Sequence, residues 1–272
     1  MKEKIKKVKI IREQFDLYLE INKSNYPIKV NSRIKAEIID SSPFIERNNK
    51  VIIIKDTFFE KSLLVKNVYR YSLKKNIDNF ELCAFDNSHE DFKTSKFNDY
   101  PIDESSISPS IVIILESPHK DEYDDKIDCI RPIAPAQGST GDLIFEKFVQ
   151  IISDNAEIIR LLDKNEYRIL IVNPIPYQTS LQFLHKQNLK SVYSTLRDKV
   201  WIKQWERNVT HKILFNRILN KINPNLILNC CTSKLTGYVS EEIKKTEFNA
   251  FQIHHPSSWW KGLNKIKIIK IN

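Results

Sequence analysis

The stretch Ile111–Tyr123, IVIILESPHKDEY, and its counterpart His254–Trp260, HHPSSWW, decide how this chain of 272 residues folds. Ile111 to Leu115 are consecutive β-branched or leucine side chains, the composition of a strand buried on both faces, as in a parallel sheet. Glu116 follows at once, and Ser117-Pro118-His119 turns the chain. In open α/β sheets, ligands bind in the crevice just outside the carboxyl ends of the strands. A carboxylate there either does chemistry or caps the next turn.

Working outward, apolar runs alternate with helical spacing. Tyr167–Val172, Asn225–Asn229 and Phe251–Ile253 are expected strands, and about Gly141–Ile152 and Asn208–Ile222 expected helices. Such alternation predicts an α/β domain over 108–272, with a central, mainly parallel sheet sandwiched by helices. The strands end at Glu116, Asn173, Thr232–Ser233 and His254–His255, so a carboxylate, a carboxamide and an imidazole are expected along one edge. Residues 1–107 form an N-terminal extension of unassigned role. Helical spacing is expected over 2–22, short β-rich runs from Tyr26 to about Phe85, and a polar linker over 86–109.

Composition narrows the classes. Hydrophobic residues make up 41% of the chain, enough for a sizeable core. No apolar run reaches the roughly 20 residues of a membrane span, and the basic start MKEKIKKVKIIREQF lacks a small-residue cleavage site. A soluble, cytoplasmic protein without a membrane partner is expected. The net charge of +9 favours polyanions, nucleic acid first, although solvated lysine faces alone give such an excess. Cys83, Cys129, Cys230 and Cys231 show no CxxC spacing, so no metal site or cofactor is expected from them.

The constellation has a chemistry. An Asn offers a donor and an acceptor to a base edge. A carboxylate beside a sugar activates water or offsets oxocarbenium charge, and an imidazole stabilises a departing base anion. Together these are the parts for hydrolysing an N-glycosidic bond in DNA after the base flips out.

From Ile111 to Trp260 the chain resembles the uracil-DNA glycosylase superfamily. Leu115-Glu116-Ser117-Pro118-His119 is similar to its first motif, G-Q-D-P-Y-H or, in its bacterial and archaeal branch, G-E-A-P-G. Arg131-Pro132-Ile133 with Gly138-Ser139-Thr140-Gly141-Asp142-Leu143-Ile144 resembles the G-R-P-F-x-G-x-x-G-x-L-L segment. Asn173 matches the strand-ending Asn, and His255-Pro256-Ser257 the H-P-S motif. The resemblance implies a uracil-DNA glycosylase-like fold and a monofunctional DNA glycosylase that leaves an abasic site, with Glu116, His255 and Asn173 catalytic. It also implies substrate contacts from Ser117, His119, Ile133, Gly138 and Asn173, and DNA contacts from Ser257, Ser139 and Trp259.

The departures matter as well. Ser117 stands where many members keep a catalytic Asp, so water activation falls to Glu116. Ile133 replaces a Phe that stacks on uracil, which points to an altered pocket for a modified base. The iron–sulfur cysteines of the G-E-A-P-G branch are missing. The expected partner is DNA, as a duplex with a flipped base or as a single strand; a protein partner is unknown. Trp259 either enters the helix as the base leaves or packs under the last strand. Gly138 and Gly141 serve either close backbone approach to a ligand or a tight turn into a helix. Two alternatives stand beside the glycosylase. One is a non-catalytic DNA-binding protein on the same fold. The other is a metal-dependent nuclease or phosphohydrolase using Asp121, Glu122, Asp124 and Asp125 with the histidines.

Overall fold

The computed structural model describes residues 16–29, 45–48, 51–55, 61–77, 79–84, 109–124, 130–180, 193–262 and 266–272. Along the chain run β1 (Asp16–Ile21), β2 (Ser24–Ile28), β3 (Ile45–Asn48), β4 (Val51–Ile54), β5 (Val68–Lys75), β6 (Phe80–Ala84) and β7 (Ser110–Ile114). Next come β8 (Tyr123–Asp124), β9 (Arg131–Pro132), α1 (Ser139–Ser153), α2 (Ala156–Leu161) and β10 (Glu166–Val172). The series closes with α3 (Tyr193–Arg207), α4 (Val209–Ile222), β11 (Leu226–Asn229), α5 (Thr236–Ile243), β12 (Ala250–Ile253) and β13 (Ile268–Lys270).

The first strands correct an expectation. Residues 16–21 of the expected helix are a strand, and residues 2–15 lie outside the described residues. Leu17, Leu19 and Ile21 are buried and alternate with Asp16, Tyr18 and Glu20, a period of two that helical spacing does not produce. Asn22 and Lys23, both at positive φ (51° and 63°), turn β1 back onto β2 as a hairpin. The small sheet runs β2-β1-β4-β3. It lies against α3, where the Arg207 guanidinium sits 5.4 Å from the Tyr26 ring centroid and Lys199 donates to the Lys29 carbonyl.

The large sheet has seven strands in the order β13-β12-β11-β7-β10-β5-β6. Its four central strands are parallel, and its edges are antiparallel. The sheet is therefore mixed rather than mainly parallel, because short connections such as that between β5 and β6 permit only antiparallel pairing. Strands β5 and β6 belong to the stretch assigned to the extension, so the large sheet crosses the expected boundary at 107/108. Residues 86–108 of the expected linker lie outside the described residues.

Helices cover both faces. Ile111, Ile113 and Leu115 pack with Ile144, Phe148 and Ile151 of α1 and with Ile158 of α2. Val112 and Ile114 pack on the other face with Trp201 and Trp205 of α3, Phe215 and Leu219 of α4, and Val239 of α5. Both faces of β7 are thus dry, as its apolar run requires. Local chemistry sets the helix ends: Asn208 caps α4 by accepting from Thr210 N (3.3 Å), and Asn223 closes it in the left-handed conformation. Among the described residues no helix is long and apolar enough to cross a membrane.

The two clustered glycines answer to the protein's own backbone. A Cβ on Gly141 would lie 2.0 Å from the Ala136 carbonyl oxygen, and Gly138 has φ of +66°. Both shape the turn into α1. Gly141→Ala is expected to lower unfolding free energy by roughly 1–3 kcal/mol in urea titration, because the turn must shift to admit the methyl.

Candidate active site at the carboxyl edge of the parallel strands

Strand β7 lies between β10 and β11. The chain leaves β7 for β10 through α1 and α2 on one face, then returns past β7 to β11 through α3 and α4 on the other. This reversal is a topological switch point, where helices on opposite faces leave a crevice at the strand ends. A cavity of about 250 Å³ opens there. Glu116, Ser117, His119, Ser139, His255 and Ser257 all line it. Six expected site residues, drawn from three segments of the chain, thus share one space.

Glu116 is 5% exposed. Its Oε1 accepts from Thr232 N at 2.5 Å, and its Oε2 lies 3.3 Å from Arg197 Nη1. Its backbone carbonyl accepts from the Trp201 indole N–H at 2.8 Å. The charge partner of Glu116 is thus Arg197, from α3. Arg197 in turn donates from Nε and Nη2 to Asp198 Oδ1 (3.0 and 2.8 Å).

His255 is half-buried and lines the same cavity. Its Nδ1 accepts from Ser257 N at 3.2 Å and lies 2.8 Å from Ser257 Oγ. A backbone N–H can only donate, so the neutral ring carries its proton on Nε2. Desolvation holds the imidazole below its ordinary pKa, with Glu116 opposing and Arg197 reinforcing that shift. The uncharged ring, a donor at Nε2, therefore dominates at neutral pH.

The opposite wall is the turn after Glu116. His119 Nδ1 lies 3.3 Å from Asp121 Oδ2, and burial lowers the imidazole pKa while Asp121 raises it. Glu122 is buried and accepts from Ala136 N (2.7 Å) and His119 N (3.2 Å), bracing the turn against the loop before α1. Burial pushes its carboxyl up to about 8. Arg70, buried on β5, donates to the Pro135 carbonyl (3.3 Å) and to Tyr71 Oη (2.9 Å), and Tyr71 Oη donates to the Gly141 carbonyl (3.1 Å).

Four expected site residues lie apart from the cavity lining. Ile133 packs beside Val68 and Ala134. Gly138 faces Asp121, whose Oδ2 would be 2.8 Å from an added Cβ. Asn173 is 3% exposed, and its carboxamide has no hydrogen-bond partner. Trp259 is 1% exposed and donates to the His254 carbonyl at 2.8 Å, so it packs under the last strands rather than entering a helix; the exposed aromatic is Trp260, at 68%. Lys261 Nζ sits 5.7 Å from the Trp260 ring centroid.

Comparison with known families, curated proteins and solved structures returns no match. Among the described residues, no group of three or more His, Cys, Asp or Glu side chains could hold a metal.

One contributor, Arg197, is not legible in the sequence, and two others, Thr232 and Glu122, take roles that their sequence context does not indicate. Arg197 sits in a stretch whose helix had no clear apolar signal; only Leu196, Val200, Trp201 and Trp205 at helical spacing foretell its inner face. Thr232 contributes a backbone amide, which any residue supplies. Glu122 looked like one of a solvated acidic run, although an apolar neighbour, Tyr123, marked the turn back into the core.

Glu122 gives a signed test. Its unfolded carboxyl ionises near its ordinary 4.5, whereas the folded one keeps its proton up to about 8. Across that window the folded state binds the extra proton, so stability falls as pH rises, by at most about 1.4 kcal/mol per unit. Denaturant titrations from pH 5 to 8 are expected to show this decline, and Glu122→Gln to flatten it.

Proposed function

We propose that the protein is a monofunctional DNA glycosylase, hydrolysing the N-glycosidic bond of a flipped uracil-like or modified base to leave an abasic site. The reading rests on one observation: Glu116 and His255, from the ends of separate strands, line a single cavity at the switch point. The uracil-DNA glycosylase-like fold belongs to the same proposal. Its support is the four-stranded parallel centre with helices on both faces.

In this mechanism the target base leaves the stack and enters the cavity. Glu116 orients water and offsets positive charge on the sugar as the bond lengthens. His255 donates from Nε2 to the departing base, whose negative charge grows in the transition state. Ser139 and Ser257, at the mouth, contact phosphate, and the net charge of +9 supplies the sequence-independent attraction. Asn173 is buried outside the cavity lining, so reading of the base edge by its unpartnered carboxamide requires the segment 173–180 to shift when the base enters. Trp260, rather than Trp259, stacks on DNA bases.

A second reading is a DNA-binding protein without chemistry. It is favoured by Glu116, both of whose oxygens are already engaged by Thr232 and Arg197. Mass spectrometry of reactions in EDTA separates the two, using uracil-containing DNA and DNAs with modified pyrimidines. The glycosylase predicts one free base, with release reduced at least about 100-fold in Glu116→Gln. Binding with no base from any substrate would favour the second reading. Strand cleavage restored only by Mg²⁺ would point to a nuclease.

A further inference from the structure

We propose that Arg197 and Asp198, with Lys234 behind them, form a positioning array that fixes the Glu116 carboxylate; its catalytic meaning rests on the glycosylase reading. Four side chains of alternating charge run outward from the cavity. Arg197 Nη1 lies 3.3 Å from Glu116 Oε2, and Arg197 Nη2 and Nε reach Asp198 Oδ1 at 2.8 and 3.0 Å. Lys234 Nζ lies 3.5 Å from Asp198 Oδ2. Arg197 Nη2 also donates to Thr232 Oγ1 at 3.4 Å, and Thr232 N holds the other oxygen of Glu116.

The geometry favours positioning over DNA contact. Arg197 turns Nε and Nη2 onto its own neighbour Asp198, and Nη1 toward Glu116. The fork is thereby divided between two carboxylates, both nearly buried. A guanidinium compensated in this way attracts a phosphate less than an open one does. Glu116, clamped on both oxygens, loses rotamer freedom and presents its remaining lone pairs in a fixed direction. A carboxylate so held orients water and offsets charge at the sugar; it does not swing to follow a proton.

Arg197→Gln, Arg197→Lys and Asp198→Asn, each shown to be folded by thermal melting, provide the test. Single-turnover base release and DNA affinity are measured separately. Arg197→Gln is expected to slow release about 100-fold while DNA affinity changes by less than about threefold. Arg197→Lys recovers part of the rate, because the charge returns without the fork. Asp198→Asn costs about tenfold. An unchanged rate in folded Arg197→Gln overturns the array, and so does a loss of rate that follows a loss of affinity.

A readout independent of catalysis accompanies these assays. Both cavity imidazoles feel the Arg197 charge, which lowers the pKa of His255 and of His119, while Glu116 raises that of His255 and Asp121 that of His119. In histidine NMR titrations, Arg197→Gln is expected to raise both pKa values, and Glu116→Gln to lower that of His255. If the wild type releases no base, the glycosylase reading fails, and a crystal structure of folded Arg197→Gln still judges the array: a Glu116 carboxylate that keeps its position there would overturn it.

Discussion

A carboxylate with almost no access to solvent, Glu116, ends the innermost strand, and the layers around it are arranged to satisfy it. An unpaired charge at such a depth costs several kcal/mol, so its partners are a condition of the fold as well as of the site. They come from both directions. The loop after β11 donates the Thr232 amide, and α3 reaches over the opposite face with Arg197. The same helix pins the Glu116 carbonyl through the Trp201 indole, while Trp201 itself stacks on Trp205 at 5.2 Å. Packing of α3 on the sheet and charge compensation in the cavity are therefore one arrangement. A change in the tryptophan layer would be felt by the carboxylate.

The second constraint comes from residues that precede the parallel strands. Val65 N donates to the Pro176 carbonyl, the Asn67 side chain accepts from Asn173 N, and Tyr123 Oη donates to the Leu63 carbonyl. Arg70 and Tyr71 hold the loop that leads into α1. The stretch from Leu63 to Tyr71 thus buttresses both loops that follow β7 and β10. Part of the N-terminal region acts as scaffold for the cavity, which explains why β5 and β6 extend the large sheet instead of standing apart.

What the sequence discloses follows from the kind of signal each feature carries. Strand β7 was legible because five consecutive apolar residues admit few other environments, and the residues ending the parallel strands followed from topology. Glu116 and His255 were found in this way. Residues 16–21 mislead because Leu17 and Leu19 continue a helical spacing from Ile5 to Phe15, whereas Leu17, Leu19 and Ile21 together have a period of two. Trp259 and Trp260 are adjacent in sequence, and only the 3-10 turn Pro256–Lys261 decides which of them faces inward. Arg197 was illegible for a different reason. Its partner lies 81 positions away, and nothing local to Arg197 indicates that its charge faces a carboxylate on another layer.

Asn173 and Gln178 present the opposite case to Glu116. Both are buried, and both atoms of each carboxamide lack a hydrogen-bond partner. Each orphaned group costs about 1–3 kcal/mol, and native interiors contain few. Yet the segment that carries them is firmly held, through the backbone of Asn173, Pro176 and Gln178 and through the bond between Thr179 and Ser117 at 2.9 Å. The carboxamides themselves contribute nothing to holding that loop. Anything that contacts Glu116, by contrast, must share it with Arg197 and Thr232. The site thus joins a carboxylate whose direction is fixed by its partners to a neighbouring segment in which two buried carboxamides have none.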